Sequence, residues 1–493
     1  MRKKYLVFGL LLLMAALALA ACSSPEPAPC PTAAPCPDCP EADCPAIECP
    51  EVECPVCPDC PDAEAIAEEA AAAAAEAVPY AEEWAGSGHA ASDTEAFRHW
   101  DEDDPPVVPE ACAKCHTSSG YLDFLGEDGS ESGVVDSTHD PAEGIECVAC
   151  HNNTAAAMDS VVFPSGIEVS GLGPQSRCMQ CHQGRASKVQ VDDVLAETVG
   201  EDLDTVSEEV GFINIHYYAA GATRLGTEVK GGYEYDGMTY DVRFEHVPGY
   251  DTCIGCHDQH TLELKIDECA VCHTDVGNVE DLMNVRMEGS LADYDGDGDI
   301  EEGVYYELDG LREMLYTAIQ AYAAEVAGTP IVYESHTYPY FFIDTNDNGE
   351  ADEDEVDIGN RYVSWTGRLL QAAYNYQTSQ KDPGGYAHGG KYIVQLLYDS
   401  IANVNTVISS PVDLSTAHRD DPGHFAASQE AWRHWDEDGE VEAGCAKCHS
   451  SEGLLTYLKE GTNVSEPLSS GLACHTCHDS LTEYTRYVVD EVE

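Results

Sequence analysis

Cys253-Ile-Gly-Cys256-His257-Asp-Gln-His260-Thr-Leu-Glu-Leu-Lys-Ile-Asp-Glu-Cys269-Ala-Val-Cys272-His273 contains one pattern twice, Cys-x-x-Cys-His. Two thiols three residues apart reach the two vinyl groups of one haem, and the histidine that follows sits under the iron as proximal ligand. The pattern recurs at Cys112/Cys115/His116, Cys147/Cys150/His151, Cys178/Cys181/His182, Cys445/Cys448/His449 and Cys474/Cys477/His478, seven motifs in all. Cys-x-x-Cys is also half of a zinc site, but zinc does not demand histidine directly after every pair. Fourteen of the 23 cysteines lie in the motifs and the rest precede residue 61, so the globular part has none left for a disulfide. Seven covalent haem c groups are therefore expected to replace disulfides and much of the apolar core. The expected fold is mainly α with long irregular loops and little β, wrapped round stacked haems.

Outward from the motifs, charge is the next constraint. The 493 residues carry 92 acidic side chains against 23 Lys and Arg, a formal net charge of −69. Phosphate backbones need a basic surface, so nucleic acid is excluded as a partner. Arg2, Lys3 and Lys4 precede an apolar run that ends in Leu19-Ala-Ala-Cys22. This resembles a bacterial lipobox. It predicts a lipoprotein signal over 1–21, acylation of Cys22 and a membrane attachment through lipid alone. In residues 22–62, Cys30, Cys36, Cys39, Cys44, Cys49, Cys54, Cys57 and Cys60 are each followed by proline, which favours an extended tether. The alanine-rich stretch 63–78 reads as a helical stalk on propensity.

Nineteen histidines minus seven proximal ones leave a reservoir of distal ligands. The segment Ser87-Gly-His89 … Glu95-Ala-Phe-Arg-His99-Trp … Cys112-Ala-Lys-Cys-His returns as Gly423-His424 … Glu430-Ala-Trp-Arg-His434-Trp … Cys445-Ala-Lys-Cys-His. This is an internal duplication: haems 1 and 2 match haems 6 and 7. It nominates His89, His99, His424 and His434. Position nominates His139, His216, His246, His260 and His388. Nine candidates exceed seven needs, so the pairing stays open.

Two acidic stretches resemble calcium loops. Asp344-Thr-Asn346-Asp-Asn348-Gly-Glu350-Ala-Asp-Glu-Asp-Glu355 matches the twelve-residue pattern throughout, with oxygen ligands at 1, 3, 5 and 12 and glycine at 6. Asp293-Tyr-Asp295-Gly-Asp297-Gly-Asp299 begins alike but has Val304 at position 12, where Glu301 or Glu302 is the expected substitute.

The haem-bearing part divides into modules 79–200 (haems 1–3), 201–279 (haems 4–5) and 411–493 (haems 6–7). A helical, haem-free region with the calcium loops covers 280–410. The motifs, Trp84-x-x-Ser87-x-His89-Ala and Cys178-Met-Gln-Cys-His-Gln-Gly-Arg185 together resemble the multihaem cytochrome c superfamily. The likeness is to its branch around octahaem hydroxylamine oxidoreductase, tetrathionate reductase and cytochrome c nitrite reductase, over roughly residues 80–493. That resemblance implies that Arg185 neutralises a haem propionate. Two departures weigh against catalysis: every motif ends in His rather than Lys, and there are seven rather than eight. Bis-histidine haem has no vacant position for substrate and passes single electrons. The sequence thus points to a tethered electron-transfer cytochrome of the periplasm or cell surface. Its partners would be redox proteins or an external acceptor. The alternative is an oxidoreductase acting on a small nitrogen or sulfur oxyanion at one open haem.

Overall fold

The computed structural model describes residues 78–421 and 430–477, apart from 143, 201, 245, 248, 287–289, 291 and 470. Cys22, the tether, the stalk to residue 77, His424 and His478 lie outside the described residues.

Eight helices organise the description: α1 (Glu110–His116), α2 (Ser118–Leu125), α3 (Ala220–Leu225), α4 (Val304–Tyr322), α5 (Gly367–Lys381), α6 (Gly385–Asn405), α7 (Ala443–His449) and α8 (Gly453–Glu460). Between them run the eleven-residue helix Lys188–Thr198, shorter helical turns, irregular loops and, among the described residues, three two-stranded antiparallel ribbons. The mainly α expectation holds. No helix among the described residues is long and apolar enough to cross a membrane.

The haem-free region departs from the expectation of a sparse core. In α4, Leu308, Leu311, Leu315, Ile319 and Tyr322 recur at helical spacing and are fully buried. They pack with Leu369, Leu370, Ala373 and Tyr374 of α5 and with Ile393, Leu396, Leu397 and Ile401 of α6. The Thr366 hydroxyl caps α5 by accepting from Leu369 N at 3.1 Å. Apolar side chains fill this bundle, contrary to the expectation that much of the apolar core is replaced.

The strand-like segments 231–235 and 239–244 form no ladder with each other. Two of their backbone donors are taken by side-chain amides of the buried helices instead. Tyr233 N donates to Asn375 Oδ1 of α5 at 2.7 Å, and Asp241 N donates to Gln395 Oε1 of α6 at 2.8 Å. A buried N–H needs an acceptor, and a buried amide serves as well as a strand edge.

The duplication is visible in three dimensions. Gly120 of α2 lies so close to α1 that a Cβ there would stand 2.5 Å from Ala113 O; in the second copy a Cβ on Gly453 of α8 would stand 2.1 Å from Ala446 O. Trp100, Val108 and Ala113 form one small core, and Trp435, Val441 and Ala446 form its counterpart.

Candidate haem and metal sites

A thiol pair at i and i+3 falls on one side of a single helical turn. The second, fourth and seventh motifs are such turns, Cys147–Cys150, Cys253–Cys256 and Cys474–Cys477, whereas the first and sixth close α1 and α7. His151 and His257 follow the end of their turns, and His116 and His449 are the last residues of their helices. Four motif histidines are oriented by a backbone carbonyl at Nδ1: His116 by Ala96 O at 2.8 Å, His182 by Tyr218 O at 3.1 Å, His257 by Leu262 O at 3.1 Å and His449 by Ala431 O at 2.8 Å. A carbonyl only accepts, so Nδ1 carries the proton and Nε2 keeps the lone pair that a metal requires. His116 and His449 use equivalent carbonyls of the duplicated segment, each beside its tryptophan, with ring centroids 5.3 and 5.2 Å apart.

Four candidate histidines face a motif histidine. Ring centroids are 5.9 Å apart for His216 and His116, 6.2 Å for His260 and His151, 6.3 Å for His89 and His182, and 6.1 Å for His246 and His273. Two imidazoles bound axially to one metal through Nε2, at about 2 Å per bond, place their centroids about 6 Å apart. The residues present therefore fit one iron between each pair. Burial lowers the pKa of His89 to about 4, with His182 adding to it, and burial followed by Arg185 and His116 lowers His216 to about 4. Burial also lowers His116, His182, His246 and His257. Neutral imidazole is the ligating form.

His388 stands apart in its partner. Its Nδ1 lies 2.9 Å from both oxygens of the buried Asp382, and the ring is in electrostatic range of His257 and Cys253 of the fourth motif. His99 and His139 each meet a carboxylate as well. His99 is exposed, with Nδ1 2.7 Å from Glu95, and His139 Nε2 is 3.0 Å from the fully buried Asp123. His434 packs edge-on against Trp435 at 4.9 Å. The buried Tyr121, whose ring the motif pattern did not single out, has thiols of the first three motifs around its phenol: Cys115, Cys150, Cys178 and Cys181. Arg185 acts on Cys112, His116 and His216, which places it at the first site.

The two acidic loops meet opposite ends of α4. In the first, Asp293 accepts from Gly296 N at 2.6 Å and Gly298 N at 2.9 Å. Asp293, Asp295 and Asp297 bring oxygens within 4.8 Å of one another, and so do Asp295, Glu302 and Glu307; the ion is not part of the structure. Burial and then neighbouring carboxylates raise Glu302 to about 7. Asp295 is raised to about 6, chiefly by burial. Glu302 belongs to the second of these clusters. Glu301 and Asp299 are not in it, and Glu307 of the first α4 turn was missed. An acid in the turn just after an acidic loop is the signal that could have found it. In the second loop Gly349 takes φ 81°, which position 6 requires, and its carbonyl accepts from Gln320 of α4 at 2.8 Å. Asp344 and Glu355 are buried and accept backbone donors of the loop. The Asn346 and Asn348 amides instead donate to Asp352, at 2.7 and 2.8 Å, and Glu350 remains on the outer turn.

Comparison with known proteins gives two names. The chain is 26% identical over 377 residues to "C-type polyheme cytochrome OmcC" of Geobacter sulfurreducens, covering 62% of this chain and 44% of that protein. It is 26% identical over 353 residues to "C-type polyheme cytochrome OmcB" of the same species, covering 59% and 43%. The chain thus spans less than half the length of these curated relatives. No family model matches, and no solved structure does. Both relatives are, by name, polyhaem c-type cytochromes.

Proposed function

We propose that this chain is an exported electron-transfer cytochrome carrying seven covalent haem c groups, held to a membrane by acylation of Cys22. Haem iron with two axial imidazoles cycles between ferric and ferrous and passes single electrons. The observation that carries the reading is the set of four facing histidine pairs at 5.9–6.3 Å, each with one member from a Cys-x-x-Cys-His motif.

The residues divide the work. The motif thiols anchor the porphyrin, and the carbonyls at Nδ1 fix the tautomer that leaves Nε2 for iron. His216, His260, His89 and His246 would supply the second imidazole at the first, second, third and fifth sites, and His388 would supply it at the fourth. Arg185 offers its guanidinium to a propionate of the first haem. Calcium in the two acidic loops braces α4. The net charge of −69 lowers the potentials and steers cationic redox partners to the surface, and electrons leave the chain to such a partner or to an external acceptor.

The test is electron paramagnetic resonance of the oxidised holoprotein. Low-spin ferric signals alone are expected. A high-spin signal worth one haem in seven would mean an open iron, and would move the function to reduction of a small oxyanion.

A further inference from the structure

The attachment motifs touch one another through backbone and side-chain contacts, and these joints do not follow chain order. Cys181 Sγ lies 3.8 Å from Lys114 O, which joins the third motif to the first. Arg177, next to Cys178, donates to Cys150 O at 3.3 Å and joins the third to the second. Gln175 Oε1 accepts from Cys253 N at 3.4 Å, which joins the third to the fourth. Lys265 bridges the fourth and fifth: its backbone N donates to Cys256 O at 2.9 Å, and its carbonyl accepts from Cys269 N at 3.2 Å.

The next joint skips a motif. His475, inside the seventh motif, donates from Nδ1 to His246 O at 3.0 Å, and His246 faces the fifth-motif His273. On its other side, Thr476 Oγ1 donates to Ser451 O at 2.9 Å, two residues past the sixth-motif His449. His475 also pairs with Glu452 of the same loop. The seventh motif is thereby wedged between the fifth site and the sixth.

The first module repeats the device. Ile145 N, just before the second motif, donates to His89 O at 2.7 Å, and His89 faces His182 of the third site. Glu146 N donates to Ser118 Oγ at 2.8 Å, two residues past His116. In both copies, then, the later motif of the duplicated pair docks on the backbone of a histidine that serves a neighbouring site. It docks also on the loop after its own partner.

We propose that the seven haem sites run through the molecule in the order 1 and 2, 3, 4, 5, 7, 6, with one copy of the duplicated two-haem module at each end. The inference rests on the reading of the motifs as haem sites. It adds that the last two sites are inverted relative to the sequence, that the third is a junction for the first two, and that the sixth is a terminus.

Iron-edge anomalous diffraction from the holoprotein tests this, because each iron is identified by the motif that holds it. The iron under His478 should lie nearer the iron of His273 than the iron under His449 does. The reverse order overturns the proposal while leaving the haem sites intact. Irons missing from the motifs overturn the reading beneath it instead. In solution, Cys474→Ala with Cys477→Ala should leave the sixth haem out of rapid equilibration after pulsed reduction. Cys445→Ala with Cys448→Ala should leave the remaining six equilibrating as one. Haem content by mass accompanies each variant, and the opposite pattern again overturns the order.

Discussion

Asp382 touches both of its oxygens to one imidazole nitrogen, and that contact separates His388 from every other candidate that faces a motif. The motif histidines His116, His182, His257 and His449 donate to neutral carbonyls; a carboxylate makes the ring a stronger donor and favours ferric iron. Asp382→Asn should raise the potential of one haem by on the order of 60–120 mV, the one-electron equivalent of a ten- to hundredfold loss of that preference. Redox titration followed by visible spectra reads it; unchanged potentials would deny His388 an axial role. Glu234 makes a second residue-scale case. Burial raises its pKa from the ordinary 4.5 to about 7, against the Thr227 and Tyr392 hydroxyls that donate to it. Between 4.5 and 7 the folded chain keeps a proton that the unfolded chain has lost, so this residue's contribution to stability falls as pH rises through that window. Glu234→Gln should flatten that slope in denaturation midpoints measured across the same range. The chemistry of single residues was largely legible: the duplication nominated His89, and position nominated His216, His246, His260 and His388. The pairing was not legible, because His89 precedes the first motif yet faces the third, and His216 turns back to the first. Nor was it legible that His99 and His139 meet the carboxylates of Glu95 and Asp123.

At the scale of elements, the contact between α1 and α2 is repeated by α7 and α8, and in each a glycine lets two backbones touch. Gly120→Ala and Gly453→Ala should each destabilise the chain by about 1–3 kcal/mol, since an added methyl meets backbone that cannot rotate away. Thermal unfolding of the two variants should shift in parallel; a neutral Gly120→Ala would mean that the helices are not so closely packed. The acidic loops belong to the same scale because both press on α4, through Glu307 and Gln320. Calcium should raise the melting temperature of the holoprotein, and Asp295→Asn together with Asp344→Asn should remove that response in a calcium titration. The loop patterns were legible because glycine at a fixed position carries a backbone requirement. Glu307 was not, since its role depends on where a helix folds back. The tyrosine-rich segments around Tyr233 and Asp241 read as strands by composition, but the acceptors that claim them are Asn375 and Gln395, more than a hundred residues away.

For the whole molecule, two different interiors share one chain. Around α4, α5 and α6 the core is aliphatic and aromatic, and its helical periodicity made it readable. Around the motifs the buried apolar clusters are small, such as Trp100, Val108 and Ala113. There the facing imidazoles stand 5.9–6.3 Å apart, and on the proposed reading covalent iron porphyrin occupies every motif. Intact-mass spectrometry of the denatured, metal-chelated polypeptide tests it most directly. The account requires the chain mass plus seven haems, with the colour retained after unfolding; a colourless polypeptide at the bare chain mass would contradict it.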